Sequence, residues 1–476
     1  MRTSKLAVVV VLTILAASML GATGAREPRA DAESANVVLA HVQGEWSWSG
    51  LEALAAAYAE RSGNTLELLY VPAEQMSQWS QAQFIGGTEP DLIWSAGQPA
   101  PDYFRNGWIV DLRPHYESVS PYTGERWADS FRPGLLQGVV DPTLGDAMLG
   151  MPVAVVTVNL FYNRDIFAEI GLPDEAPTSW SQVLEYAKRV DAAGKGYVPY
   201  SIQNSLFWNL SWQEFNMMEQ LWHDVVDDLD VINPNGRLDI PEQALGVVTG
   251  VIDPTDQRMV DYYAFLKEFA QYFNRGFNAA SWEYERLFNE GEAAMNLNGS
   301  WFPNQVRMNE IDLNYGTGPM PYVDTGVSPY AENRLRRYSL GLGGTDIVVT
   351  RSAEKTGVDH VVDFLQFWTD PESGASMFVE SFMFLPVVKD VPVPDELEGI
   401  VQYLGTDEQR VNWNVHSFTP EQASQYHTML QTYLTDDTSP AAFAAKVADL
   451  TLRAANEVIK DHPEWRIDEH KEKVSR

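Results

Sequence analysis

Apolar residues along this chain gather in short runs that alternate with helical stripes. Asn36–Val42 (NVVLAHV) predicts a short buried strand. Ser49 and Glu52 stand at capping-box spacing, so a helix is expected to open at Ser49. Leu51, Leu54, Ala55 and Tyr58 recur at i, i+3, i+4 and i+7 along one helical face, and Gly63 sits where a glycine ends a helix. Thr65–Val71 (TLELLYV) predicts the next strand, completing the strand–helix–strand unit of a parallel sheet.

Pro90–Trp94 predicts a third strand, and Met151–Phe161 a longer one. A helix follows Pro177-Thr178, with Trp180, Val183, Leu184 and Ala187 on one face. Asn233–Gly236 reads as a turn and Arg237–Ile240 as a short return strand. Ile347–Val349 is a strand candidate, and helical periodicity dominates from about Asp359 onward. Strands alternating with helices indicate α/β architecture. A chain of 476 residues is too long for one ordinary core, so two such lobes are expected. Open α/β sheets bind ligands at the carboxyl ends of their strands, and a facing pair makes a cleft.

The N-terminus changes the setting. Arg2 and Lys5 precede an apolar run, Leu6–Leu20, and then small residues, Gly21–Ala25. This is the layout of a secretory signal peptide over residues 1–25, with an uncleaved anchor as the alternative. Export to the periplasm or the medium follows. The chain has no cysteine, which excludes disulfides, thiolate metal sites and a lipid-bearing cysteine. Its formal net charge of −33 argues against a nucleic-acid partner, because phosphate binding rests on Lys and Arg. The acidity suits either a high-salt or alkaline-tolerant source or an ordinary exported protein.

Five segments together resemble the extracellular solute-binding proteins of family 1, which serve ABC importers of maltose-like oligosaccharides and related sugars. They are Gly87-Thr88-Glu89-Pro90-Asp91, Gly107-Trp108-Ile109-Val110-Asp111-Leu112, and Phe161-Tyr162-Asn163-Arg164-Asp165-Ile166-Phe167 with Pro177-Thr178-Ser179-Trp180. Phe288-Asn289-Glu290-Gly291-Glu292-Ala293-Ala294-Met295 with Asn298-Gly299-Ser300-Trp301, and Gly343-Gly344-Thr345, complete the set. The resemblance implies a two-lobed periplasmic-binding-protein fold of type II, cluster D-like. Each lobe would be a mostly parallel sheet flanked by helices, with a hinge crossed several times. The expected division is 36–155 plus 340–385 for lobe 1 and 156–339 plus 386–460 for lobe 2, with 461–476 a polar tail. The implied ligand is a carbohydrate, and the implied partner is the membrane permease of the importer. The protein is expected to act as a monomer with no cofactor and no catalytic residues.

A sugar needs flat apolar platforms and hydrogen-bond partners for its hydroxyls. Residues that combine the two are Glu45, Trp46 and Trp48; Trp94 and Ser95; Gln203, Asn204, Trp208 and Trp212; Trp282 and Glu283; Asn298 and Trp301; and Trp413. Gly343 and Gly344 fit a tight hinge or a close backbone approach. The alternative for each Trp is packing in the interior, as expected of Trp180 and Trp368. Asp228, Asp230, Asn233 and Asn235 do not meet calcium-loop spacing, and the turn explains them. Glu45 and Glu283 leave a cationic solute such as a polyamine as a rival ligand. A glycoside hydrolase would need two carboxylates held across the scissile bond, but no His-x-x-x-His pair or nucleophile elbow accompanies the acids.

Overall fold

The computed structural model describes residues 34–42, 45–72, 75–94, 100–141, 144–205, 209–279, 281–335, 346–382, 384–394, 397 and 410–474. The side chains of residues 45–48 and of Gln137 also fall outside the description. The signal-peptide segment 1–25, Ser95, Trp208, Gly343 and Gly344 therefore lie outside the described residues.

The chain opens as expected with β1 (Asn36–Val42), α1 (Glu45–Ser62) and β2 (Thr65–Val71), and β1 pairs parallel with β2 over seven residues. Helix α1 starts at Glu45, one turn before the capping-box signal, so Ser49 lies inside it and is not its cap. Leu51, Leu54 and Tyr58 are fully buried, and Gly63 takes a left-handed φ of 77° at the helix end. Strand β3 (Leu92–Trp94) pairs parallel with β1.

The apolar run Met151–Phe161 is not one strand. It supplies β4 (Met151–Pro152) to the first sheet and β5 (Val158–Asn163) to a second. The run is continuously apolar because Val153–Val156 are buried throughout while the chain changes sheets. Helix α2 (Trp180–Ala192) then buries the expected face, and Ser179 caps it by accepting from the Gln182 amide. Next come β6 (Val198–Ser201), α3 (Leu210–Leu221), α4 (Glu283–Asn289), β7 (Ala293–Gly299), α5 (Phe302–Met308) and β8 (Tyr315–Pro319). The expected return strand Arg237–Ile240 reduces to one bridge, Leu238 to Val411, because Ile240 already begins a helix with Pro241 in its first turn. The turn before it holds: Asp230 accepts from the amides of Asn235 and Gly236. The chain continues with β9 (Asp346–Val349), α6 (Val358–Trp368), α7 (Gly374–Phe382), α8 (Pro420–Tyr433) and α9 (Pro440–Asp461).

The first sheet has the order β2-β1-β3-β9-β4 and the second β8-β5-β7-β6. Pairing is parallel for β2-β1-β3 and for β7-β6. It is antiparallel for β9 against β3 and β4, and for β5 against β7 and β8. Both sheets are thus mixed where mostly parallel pairing was expected, because strands returning from the other lobe enter in the opposite sense.

Two large cores accompany the sheets. The first joins buried residues from Val37 to Val156 with Ile347 to Leu397. The second joins Val158 to Val323 with Val411 to Val474. Val387, Val388, Val391 and Leu397, expected in the second lobe, pack in the first core. The segment expected to be a polar tail buries Ile467 and Val474 in the second core. Membership changes between Val156 and Val158, between Val323 and Ile347, and between Leu397 and Val411, so the chain passes between the cores three times.

Strand register fixes where the first two passages occur. In the first sheet Ile347 lies opposite Trp94 and Asp346 opposite Pro152. The chain therefore leaves β4 and enters β9 at the edge where β3 ends. In the second sheet Val158 lies opposite Gly299, and Pro319 opposite Asn159. The chain enters β5 and leaves β8 at the edge where β7 ends. The carboxyl-terminal strand edges of the two sheets are joined by a short first passage and by a longer second one between Pro319 and Asp346.

Candidate ligand cleft

On the first-lobe edge, His41 near the end of β1 meets Trp94 at the end of β3 edge-on, with centroids 4.0 Å apart, and Phe382 lies 6.1 Å away. His41 Nδ1 donates to the Val42 carbonyl at 2.9 Å, and no partner meets its buried Nε2 among the described residues. Burial lowers the imidazole pKa to about 4, against the weaker opposing effect of that hydrogen bond, so the ring is neutral near pH 7. Trp94 is only 4% exposed and belongs to the first core. It was expected to face a ligand; the structure seats it inside instead, because β3 is flanked on both sides and the indole fills the space beside His41. Glu45, Trp46 and Trp48 form the first turn of α1 at this edge, and their side chains lie outside the description.

The second-lobe edge carries more of the expected residues. Trp301 follows the end of β7 and is partly buried, packed against both cores. Trp212 on α3 supports it edge-to-face at 5.9 Å and is itself buried. Asn298, the penultimate residue of β7, is buried; its Oδ1 accepts from the Gly299 amide at 2.8 Å and its Nδ2 donates to Glu285 at 3.2 Å. Trp282 stands just before α4 and is 62% exposed. Because α4 runs back into β7, its first turn lies beside the carboxyl-terminal end of that strand. The backbone joins here as well: Ser300 N donates to Thr157 O at 2.8 Å, and Thr157 N to Ser300 Oγ at 3.3 Å.

Other candidates fall elsewhere. Trp413 is 1% exposed and stacks on Trp222 at 6.0 Å, so it is a core residue; Val411 and Val415 beside it are buried too. Glu283 points outward and pairs with Arg286 at 2.9 Å, which holds its carboxyl below the usual range. Gln203 donates to Ser205 Oγ at 2.5 Å and keeps a buried Oε1 without a partner among the described residues. Asn204 fastens its loop: Nδ2 donates to Asn278 at 2.8 Å, and its carbonyl accepts from His427 Nε2 at 2.9 Å.

Two groups escaped the sequence reading. Glu285, two residues beyond Glu283, is half-buried, and its Oε1 accepts from Tyr284 Oη at 3.0 Å and from Asn298. Burial raises its pKa, partly offset by the Asn298 and Tyr284 hydrogen bonds. Glu214 on α3 is buried behind the Trp212 turn. Its Oε1 accepts from His416 Nδ1 at 2.7 Å, and its Oε2 from Tyr426 at 2.7 Å and Tyr262 at 3.1 Å. A pocket of about 40 Å³ beside it, lined by Ser211, Phe215, Ser417 and His427 among others, has room for little more than water. Among the described residues no group of His, Asp or Glu is arranged to hold a metal ion, and no helix is long and apolar enough to cross a membrane.

The lobes also touch between α5 and the end of α7. Asn304 Nδ2 on α5 donates to the Ser381 carbonyl, and Arg307 Nη2 to the Glu380 carbonyl, both at 2.9 Å. Those carbonyls close the C-terminal turn of α7.

Comparison with known proteins supports this architecture. The sn-glycerol-3-phosphate-binding periplasmic protein UgpB of Escherichia coli K12 is 24% identical over 281 residues, 58% of this chain and 57% of that protein. The Salmonella typhimurium protein of the same name is 25% identical over 267 residues, 56% of this chain and 54% of its own. The chain thus matches just over half the length of these curated relatives. Among solved structures, a chitin oligosaccharide binding protein aligns with a TM-score of 0.64 at 19% identity, covering 88% of this chain and 99% of that one. A cyclic alpha-maltosyl-1,6-maltose binding protein from Arthrobacter globiformis aligns with 0.60 at 17%, covering 90% and 100%. These are two-lobed solute-binding proteins, and the α/β fold described above is of that kind. Residues 48–375, which hold the first two passages between the sheets and every strand of both sheets except β1, match the sequence model of the bacterial extracellular solute-binding proteins, and the chain belongs to that family.

Proposed function

We propose that this protein is the extracytoplasmic solute-binding component of an ABC importer. It captures a carbohydrate, an oligosaccharide by preference, between its lobes and presents it to the permease. It acts as a monomer, exported through residues 1–25, and does no chemistry on its ligand. The lobes are 36–155 with 340–385 and 156–339 with 386–460, the stretch 387–397 packing with the first. One observation carries the reading: two passages of the chain join the carboxyl-terminal strand edges of the two sheets, and Trp282 and Trp301 stand at the second of these edges. A gap between such edges is where open α/β sheets hold ligands. Structural neighbours whose names specify chitin oligosaccharide and cyclic maltosyl-maltose ligands favour a sugar.

Calorimetry of the mature protein against neutral oligosaccharides, polyamines and sn-glycerol 3-phosphate tests the proposal. Sugar binding without release of reducing ends supports it. Binding confined to a polyamine or a phosphate ester defeats the carbohydrate assignment, and hydrolysis of the oligosaccharide defeats the transport role.

A further inference from the structure

Resting on the reading above, we propose that Glu285 is a specificity-determining residue of the cleft, accepting ligand hydroxyls beside the Trp282 indole and turning away phosphate esters. Glu285 lies in the first turn of α4, next to the end of β7. Tyr284 Oη, 3.0 Å away, and Asn298 Nδ2, 3.2 Å away, both donate to the same oxygen, Oε1. The carboxylate is thereby held in one orientation, and the acceptor sites of Oε2 remain for a ligand. Asn298 is in turn locked by the Gly299 amide, so the chain of bonds ends in the backbone of β7. The half-buried carboxylate has the largely exposed Trp282 indole three residues before it at the same edge. A fixed carboxylate in the first turn of the helix that the exposed ring opens matches a pyranose, with hydroxyls at its rim and C–H groups on its face.

The same charge sets what is refused. Its neighbour Arg286 is spent on Glu283, Glu290 and Glu292 and offers no compensation. A ligand phosphate placed against Glu285 would meet like charge in a partly dehydrated setting. A neutral polyol meets none.

The experiment is calorimetry on the mature chain and on E285A, E285Q and E283Q. The probes are neutral trisaccharides of glucose, N-acetylglucosamine and xylose, plus raffinose, sn-glycerol 3-phosphate and spermidine. The expected result is that wild type takes a neutral oligosaccharide and not glycerol phosphate. E285A should then lose tenfold or more in affinity, E285Q less, and E283Q nothing. E285Q keeps the shape and an acceptor oxygen, so it reads the site even where E285A folds poorly. Sugar binding of full strength in E285A, with an unchanged melting temperature, overturns the assignment of Glu285 alone. A wild type that prefers glycerol phosphate or spermidine, or binds no sugar at all, overturns this inference together with the carbohydrate reading.

Discussion

Trp301 lays its indole over Gly299, in the space that a β-carbon at position 299 would occupy. The two residues bracket Ser300, whose backbone is tied to Thr157 in the first passage between the lobes. The indole is therefore held from below by a bare backbone, from one side by Trp212, and from both cores. Glycine serves here because it lacks a side chain; no unusual dihedral is involved.

Gly299→Ala must push the indole off its seat. If Trp301 is a ligand platform, Trp301→Ala weakens sugar binding by about 1–3 kcal/mol, as truncated anchor aromatics do. Gly299→Ala should act in the same direction and shift the tryptophan emission. Calorimetry and fluorescence check both; wild-type affinity in Trp301→Ala at an unchanged melting temperature removes Trp301 from the site.

His41 predicts a pH dependence of stability. Its pKa is about 4 in the fold against 6.5 in an unfolded chain, so between those values the unfolded state binds the extra proton. Stability contributed by the neutral ring is complete above pH 6.5 and is lost as the pH falls toward 4. The loss approaches about 3 kcal/mol at full protonation. Urea unfolding of wild type and His41→Gln at pH 7.5 and 4.5 should show a smaller drop in the variant. Equal drops would mean that other groups carry the acid sensitivity.

Arg307 and Asn304 hold the C-terminal carbonyls of α7 across the lobe boundary. Arg307→Ala removes one charge-assisted bond at an exposed site, worth about 0.5–1.5 kcal/mol to the contact between the lobes. X-ray scattering of the ligand-free variant should give a larger radius of gyration than wild type, with sugar restoring the compact value. Identical scattering curves would show that this contact does not govern closure.

Glu214 joins α3, α8 and the 416 loop through three buried donors. Glu214→Ala strands a buried imidazole and two tyrosine hydroxyls and should cost about 3–5 kcal/mol. Tyr426→Phe removes one neutral donor and should cost about 1 kcal/mol. Thermal melts of both variants decide; a Glu214→Ala protein as stable as wild type would show the network to be dispensable.

The opening β1-α1-β2 unit was legible because its signals are local: a compact apolar run, a helical stripe and a terminal glycine. The passage at Val153–Thr157 was not, because burial against the first core keeps it as apolar as a strand, and only pairing partners far along the chain reveal the switch. Trp413 looked polar in context, with asparagines on either side, yet the Asn414 backbone N–H donates to Gln243 Oε1 while the indole turns inward to Trp222. Glu283 and Glu285 show the finest limit. Helix α4 is seven residues long, too short for periodicity to say which acid faces β7. The family resemblance pointed to strand-end loops but could not give the direction of individual side chains.

The order of strands in the first sheet has a bearing on biosynthesis. β9 lies between β3 and β4, although some two hundred residues separate it from them in the sequence. A nascent chain that ends before Asp346 holds β3 and β4 with no strand between them, so the fourth of the sheet's five positions stays vacant while the whole second sheet is already translated. Completion of the first sheet thus waits for residues translated after the whole of the second.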